Sequence, residues 1–150
     1  MSSDPDFKVY RSEYLDYLET DELQVNERTK ILRGVLTLTG TSPITVKPWE
    51  AFHSPLTTDT SGGNVTLTLP TAALLLSQLF NPEVGDTFEI QVQNFNAANN
   101  IVVAAGSGGT VVNAGANFTL GPGTIGTYTV TFTNVSSGTE AYKVFGYKSV

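Results

Sequence analysis

Three stretches of strict two-residue alternation set the limits on what this chain can become. Asn64-Val65-Thr66-Leu67-Thr68-Leu69 places Val65, Leu67 and Leu69 on one side. Thr87 to Asn94 puts Phe88, Ile90 and Val92 on one side and Glu89, Gln91 and Gln93 on the other. Thr127 to Val135 sets Tyr128, Val130 and Phe132 against Thr129, Thr131 and Thr133. Successive side chains of a β-strand point to opposite faces, so the pattern predicts strands with one dry and one wet face. A dry face needs a second layer to cover it. Charged residues make up only 15% of the chain, below the usual quarter. The polar surface therefore falls to Thr, Ser, Asn and Gln, which suit strand faces better than helix faces.

Shorter segments fill in the rest. Ile31 to Thr39 ends in alternation and reads as a strand, and Ile44 to Lys47 reads as another, stopped by Pro48. Trp49 to Thr60 has no clear period and reads as a loop; Ser61-Gly62-Gly63 is a turn. Ile101 to Ala105, Thr110 to Asn113 and Phe118 to Leu120 are short strands divided by glycines, and Ala141 to Tyr147 is the closing strand. Pro70 to Phe80 is the one helical stretch of this region. Pro70 fits a first helical turn, and Asn81-Pro82 ends the run. The expected fold is mainly β: an antiparallel β-sandwich, jelly-roll-like, with one short inserted helix and an extended N-terminal arm.

The arm differs sharply from the body. Residues 1–34 hold eight acids and five bases, more than half of all the charged residues. We place the boundary at Gly34, giving an arm at 1–34 and a sandwich domain at 35–150. Within the arm, Phe7, Tyr10, Tyr14, Tyr17 and Leu18 fall close to a helical stripe. A short amphipathic helix needs a surface to dock on. That surface is either the chain's own body or a neighbouring subunit, the alternative being a disordered arm, and the tyrosines favour an interface.

Reactive groups are scarce. There is no cysteine, which excludes disulfides, thiolate metal sites and thiol nucleophiles. His53 is the sole histidine; Ser54 and Asp59 lie near it in sequence, but no Gly-x-Ser-x-Gly elbow is present. The body's acids, Glu50, Asp59, Glu83, Asp86, Glu89 and Glu140, are spread over strands and turns without a pairing that suggests glycoside hydrolysis. Asp16, Glu19, Asp21 and Glu22 read as a solvated helix face rather than a cation site. Gly106 to Gly109 lacks the lysine of a phosphate loop. Three Asn-x-Ser/Thr triplets start at Asn64, Asn117 and Asn134 and read as chance in a Thr- and Asn-rich chain. We expect no enzyme, no cofactor and no metal. The net charge of −6 argues against nucleic acid as a partner. The longest apolar run, Ala72 to Leu76, is too short for a membrane helix. No leader is visible, so synthesis in a cytoplasm is expected. Trp49, Phe52 and Phe95 are the aromatics available for binding a ligand.

The order of segments carries a resemblance. Leu69-Pro70-Thr71-Ala72-Ala73 leads into the apolar helix; Val84-Gly85-Asp86-Thr87-Phe88 opens a strand; Val102 to Val111 and Gly126 to Val135 follow. Over about 64–147 the chain resembles a recurrent β-sandwich domain in virion structural proteins of tailed phages and large DNA viruses. The resemblance implies a non-enzymatic particle component of the minor capsid, decoration or fibre-head type, trimeric and located in the virion. It implies major capsid or other virion proteins as partners. It leaves the arm uncovered and transfers no functional residues.

Overall fold

The structure, a computed structural model, describes residues 34–52 and 55–149. They belong to one compact unit, 33–150. The arm, with Phe7, Tyr10, Tyr14, Tyr17 and Leu18, lies outside the described residues, as do His53 and Ser54.

Among the described residues ten strands form two sheets. In chain order they are β1 (Leu36–Leu38), β2 (Ile44–Thr45), β3 (Leu56–Thr58), β4 (Val65–Thr68), β5 (Thr87–Gln93), β6 (Ile101–Ala104), β7 (Gly109–Val111), β8 (Thr119–Leu120), β9 (Ile125–Asn134) and β10 (Ala141–Lys148). Among the described residues two short α-helices interrupt them, α1 (Pro48–Ala51) and α2 (Ala72–Leu76), together with a 3-10 turn at Ala116–Phe118. A six-stranded sheet has the order β1-β3-β5-β9-β10-β7, and a four-stranded sheet has the order β2-β4-β6-β8. From β1 to β9 each strand lies in the sheet opposite to the one before it. The alternating segments supply both dry faces: Ile90, Val92, Tyr128, Val130 and Phe132 from one sheet, Val65, Leu67, Ile101 and Val103 from the other. All of these belong to one hydrophobic cluster.

The expectation of an antiparallel fold needs correction, because the pairing is mixed. Three pairs are antiparallel, β5 with β9, β9 with β10, and β6 with β8. Five are parallel, β1 with β3, β3 with β5, β2 with β4, β4 with β6, and β7 with β10. The reason lies in the crossings. Up to β6, a strand whose successor sits in the other sheet meets its next same-sheet neighbour only after a second crossing, which restores its direction. The first six strands thus wind as stacked coils, with Leu36 beside Leu56 and Ile44 beside Leu67. Here a strand of the opposite sheet does the work of the helix that usually joins parallel strands. The coils start at two sheet edges, β1 and β2. β2 sits between Pro43 and Pro48, residues that blunt an edge because they cannot donate to a new ladder.

Two further corrections concern 49–60, expected as a loop. Pro48–Ala51 is a helical turn, and Leu56–Thr58 is a strand. The helix start carries no Ser, Thr, Asp or Asn; Lys47 occupies the cap, and its backbone N–H donates to Glu50 Oε2 at 2.7 Å. All three residues of β3 are buried, so no alternation betrays the strand. Its two threonines are satisfied by donating to main-chain oxygens, Thr57 to Gln93 at 2.6 Å and Thr58 to Leu38 at 3.0 Å. The helix expected over 70–80 is shorter, ending at Leu76.

Tyr142 ties the two sheets to the helix. Its hydroxyl donates to the Pro70 carbonyl at 3.0 Å and accepts from the Gly106 N–H at 2.8 Å. The chain must pass very close here: a Cβ on Gly106 would collide with the carbonyl oxygens of Leu69 and Pro70, and one on Gly109 would strike the Tyr142 ring. Tyr142→Phe should therefore cost about 1–3 kcal/mol, because it strips a part-buried donor and a carbonyl of their partner; urea unfolding measures it. Burial pushes the phenols of Tyr128 and Tyr142 above their ordinary value of 10.0. The folded state then keeps protons that the unfolded state releases. Stability is fully present below pH 10 and falls as pH rises beyond it. Urea midpoints at stepped alkaline pH should decline; a flat midpoint contradicts this reading.

Candidate interaction surface

The connection from α2 to β5 is built to present one aromatic ring. Thr71 caps α2 by accepting the Leu74 N–H at 3.2 Å. Ala72, Leu75 and Leu76 face the core, while Leu74 faces outward. Past the helix the chain tightens, with Gln78 N–H bonded to the Leu75 carbonyl and Leu79 N–H to the Leu76 carbonyl, both at 3.1 Å. Asn81 then takes φ 49°, the one non-glycine residue with positive φ among the described residues. Pro82 disfavours the right-handed helical region for the residue before it, and Asn tolerates the left-handed region better than most. The chain turns sharply, and Phe80 is left 101% exposed. Val84 is exposed on the same connection.

The far side of this connection is pinned. Asp86 Oδ2 accepts the Glu83 N–H at 2.9 Å. Gly85 N–H donates to the Phe132 carbonyl at 2.9 Å, and Phe132 N–H donates to the Asp86 carbonyl at 3.0 Å. Next to Phe80 lies a cavity of about 190 Å³ lined by Leu79, Phe80, Asp86, Thr87, Phe88 and Phe132. Its aromatic wall extends inward: the ring centroids of Phe88 and Phe132 are 6.1 Å apart, and those of Phe52 and Phe88 are 4.5 Å apart.

The three aromatics predicted for ligand binding do not form one platform. Phe52 is half-buried against Phe88 and supports the wall. Trp49 is 52% exposed on α1. Phe95 is 65% exposed just past the C-terminal end of β5. Phe88 and Phe95 bracket nearly the whole of β5, so they are separated by roughly 20 Å.

Sequence reasoning missed a second exposed face. On β10, Lys143, Phe145 and Tyr147 point outward. Their register partners on β9 are Thr131, Thr129 and Thr127, and those residues pair in turn with Thr87, Glu89 and Gln91 on β5. Phe145 and Tyr147 escaped notice because the inward phase of β10 is also apolar, through Tyr142 and Val144. Phe80 escaped because it closes an apolar run and reads as one more helix residue.

Besides Asp86, two of the acids are engaged locally. Glu50 serves its own helix cap. Asp59 accepts the Ser61 N–H at 2.8 Å and the Ser61 hydroxyl at 3.0 Å, and these bonds, the backbone one foremost, hold its carboxyl below the usual carboxylate range. A hollow of about 500 Å³ lies beside it, between the 39–42 and 61–64 turns, where Leu38 and Val65 line it together with glycines and the hydroxyl residues Thr39, Thr41, Ser42 and Ser61. Gly106 to Gly109 makes a tight turn whose Ser107 carbonyl accepts the Ala72 N–H. Among the described residues no three His, Asp or Glu side chains gather as for a metal ion, and no helix is long and apolar enough to cross a membrane.

Comparison with known protein families, with characterised proteins and with solved structures finds no match. The surface has to be judged on its own physics. Phe88→Ala should cost about 2–4 kcal/mol, because it opens a gap between Phe52 and Phe132. Trp49→Ala should stay within about 0.5 kcal/mol of the parent. Urea midpoints for the two variants, compared side by side, test that division between wall and surface.

Proposed function

We propose that this chain is a non-enzymatic structural component of a virus particle, of the minor capsid, decoration or cement type. The observation that carries the reading is the fully exposed Phe80, held on a pinned connection with Val84 exposed beside it. We read the apolar surface that Phe80 and Val84 supply on this connection as a site of contact with other protein. In this reading the two sheets pack as a rigid β-sandwich. The alternation of successive strands between sheets supports a jelly-roll-like arrangement, from which the parallel coils set it apart. The arm, with Phe7, Tyr10, Tyr14, Tyr17 and Leu18, ties the body to neighbours, where buried aromatic area offsets the cost of ordering. The chain acts in the virion after synthesis in the host cytoplasm. Its partners are its own copies, as a trimer, and major capsid or other virion proteins; it uses neither nucleic acid nor membrane.

Deleting residues 1–30 should leave the body folded by circular dichroism yet abolish incorporation into particles. Normal incorporation of the truncated chain removes the arm from this role. Light scattering should give a trimer mass, and a monomer at high concentration counts against the assembly.

A second reading, a carbohydrate- or receptor-binding fibre head, is favoured by one observation. Phe145 and Tyr147 are exposed on a sheet face beside Thr127, Thr129, Glu89 and Gln91. Rings flanked by hydroxyl and amide groups suit a sugar. Glycan-array binding that disappears in Tyr147→Ala supports this reading; an array without hits rejects it.

A further inference from the structure

The outer face of the six-stranded sheet carries an apolar stripe. Val112, Phe145, Tyr147 and Ile125 are all exposed, and the strand register sets them in a line. The Val112 N–H donates to the Val144 carbonyl at 2.9 Å, which extends the β7–β10 ladder and puts Val112 beside Phe145. Tyr147 follows two residues along β10. Ile125 lies on β9, one outward position beyond Thr127, the register partner of Tyr147. The line crosses from β7 through β10 to β9 and runs roughly 17 Å. Two charges flank it, Lys143 on β10 and Glu89 on β5.

The chain itself holds a stripe of matching length. The helix expected over Phe7 to Leu18 is about 16 Å long, and its apolar side needs a surface to dock on. The same segment carries both signs of charge, Lys8 and Arg11 against Glu13 and Asp16, so each charge of the sheet face has an opposite available. Residues 19–33 join the segment to the body and span up to about 50 Å. That is twice the width of the six-stranded sheet, roughly 24 Å. They lead into β1, at one edge of the sheet, whereas the stripe lies toward β7, at the other. A donor at one edge and an acceptor toward the opposite edge make a head-to-tail contact, the kind from which rings are built. We infer that the 7–18 segment of each chain docks along Val112, Phe145, Tyr147 and Ile125 of the next copy in a ring. The inference rests on the assembly reading above and names the surface by which the arm holds its neighbour. A docked arm closes that face to sugars.

The test uses the full chain, whose lack of cysteine suits a directed cross-link. One copy carries Tyr14→Cys. A second carries Thr129→Cys, at the register partner of Phe145. Mixed under mild oxidation, the two should form a disulfide joining both copies. It should appear at least about 10-fold faster than with Thr66→Cys, an acceptor on the other sheet, because docking raises the effective concentration. A rate equal to that control overturns the inference. So does a double variant, Tyr14→Cys with Thr129→Cys, whose disulfide forms within single chains only. Tyr147→Asp gives a second readout. In sedimentation velocity over a concentration series it should weaken association at least about 30-fold, the scale of an aromatic hot spot. Its urea midpoint should stay in place, as suits an exposed ring. Unchanged association overturns the inference. Particle incorporation tells the two claims apart. If the cross-link fails while deletion of 1–30 still blocks incorporation, the docking surface is lost and the assembly role stays. If the cross-link forms while the deleted chain incorporates normally, the docking surface stays and the assembly role is lost.

Discussion

One hydrophobic cluster serves both sheets, and the strand path makes that sharing compulsory. From β1 to β8 no strand is followed by a neighbour in its own sheet. Neither sheet is therefore a local product of sequence. Leu67 belongs to the same cluster as residues that the chain reaches only much later, such as Tyr128 and Val144. Contacts of such long sequence separation fold slowly but lock the final arrangement as a whole. The parallel coils, the placement of α2 and the close passage at Gly106 all follow from that commitment.

Tyr142 shows how the sharing is enforced. Its ring is buried on the inner face of β10, yet its hydroxyl reaches past the core to the main chain on either side of α2 and the 106–109 turn. A polar tip on an apolar body satisfies main-chain groups that would otherwise be stranded. Asn94 plays the matching part at the opposite end. It is buried and donates to the carbonyls of Asn99 and Leu120 at 2.8 and 2.9 Å, while its side-chain oxygen accepts the Asn96 N–H at 3.1 Å. Each end of the body is thus closed by one buried polar side chain.

Much of this was legible in the sequence, for reasons that can be stated residue by residue. Strands with a wet face announce themselves, and β4, β5 and β9 fall where alternation placed them. β3 was illegible because all of its side chains are buried, which erases the two-residue signal. α1 was illegible because Lys47 caps it in place of a residue with a capping reputation. Strand direction was out of reach altogether. Alternation records which face is dry, and carries no sign of which way a partner runs. Among the surface aromatics, Trp49 and Phe95 were visible as loop residues, whereas Phe80 was hidden inside an apolar run. Its exposure depends on the left-handed turn at Asn81, which only the Asn-Pro pair hinted at.

The stacked coils have a consequence for growth. Each coil repeats the same crossing and rests on the next through ladder bonds in both sheets, so length is added in whole turns. A duplicated turn inserted ahead of β1 would find two ready ladders to continue and would leave the antiparallel block of β5, β9 and β10 untouched. A body of this design is extensible from one side only.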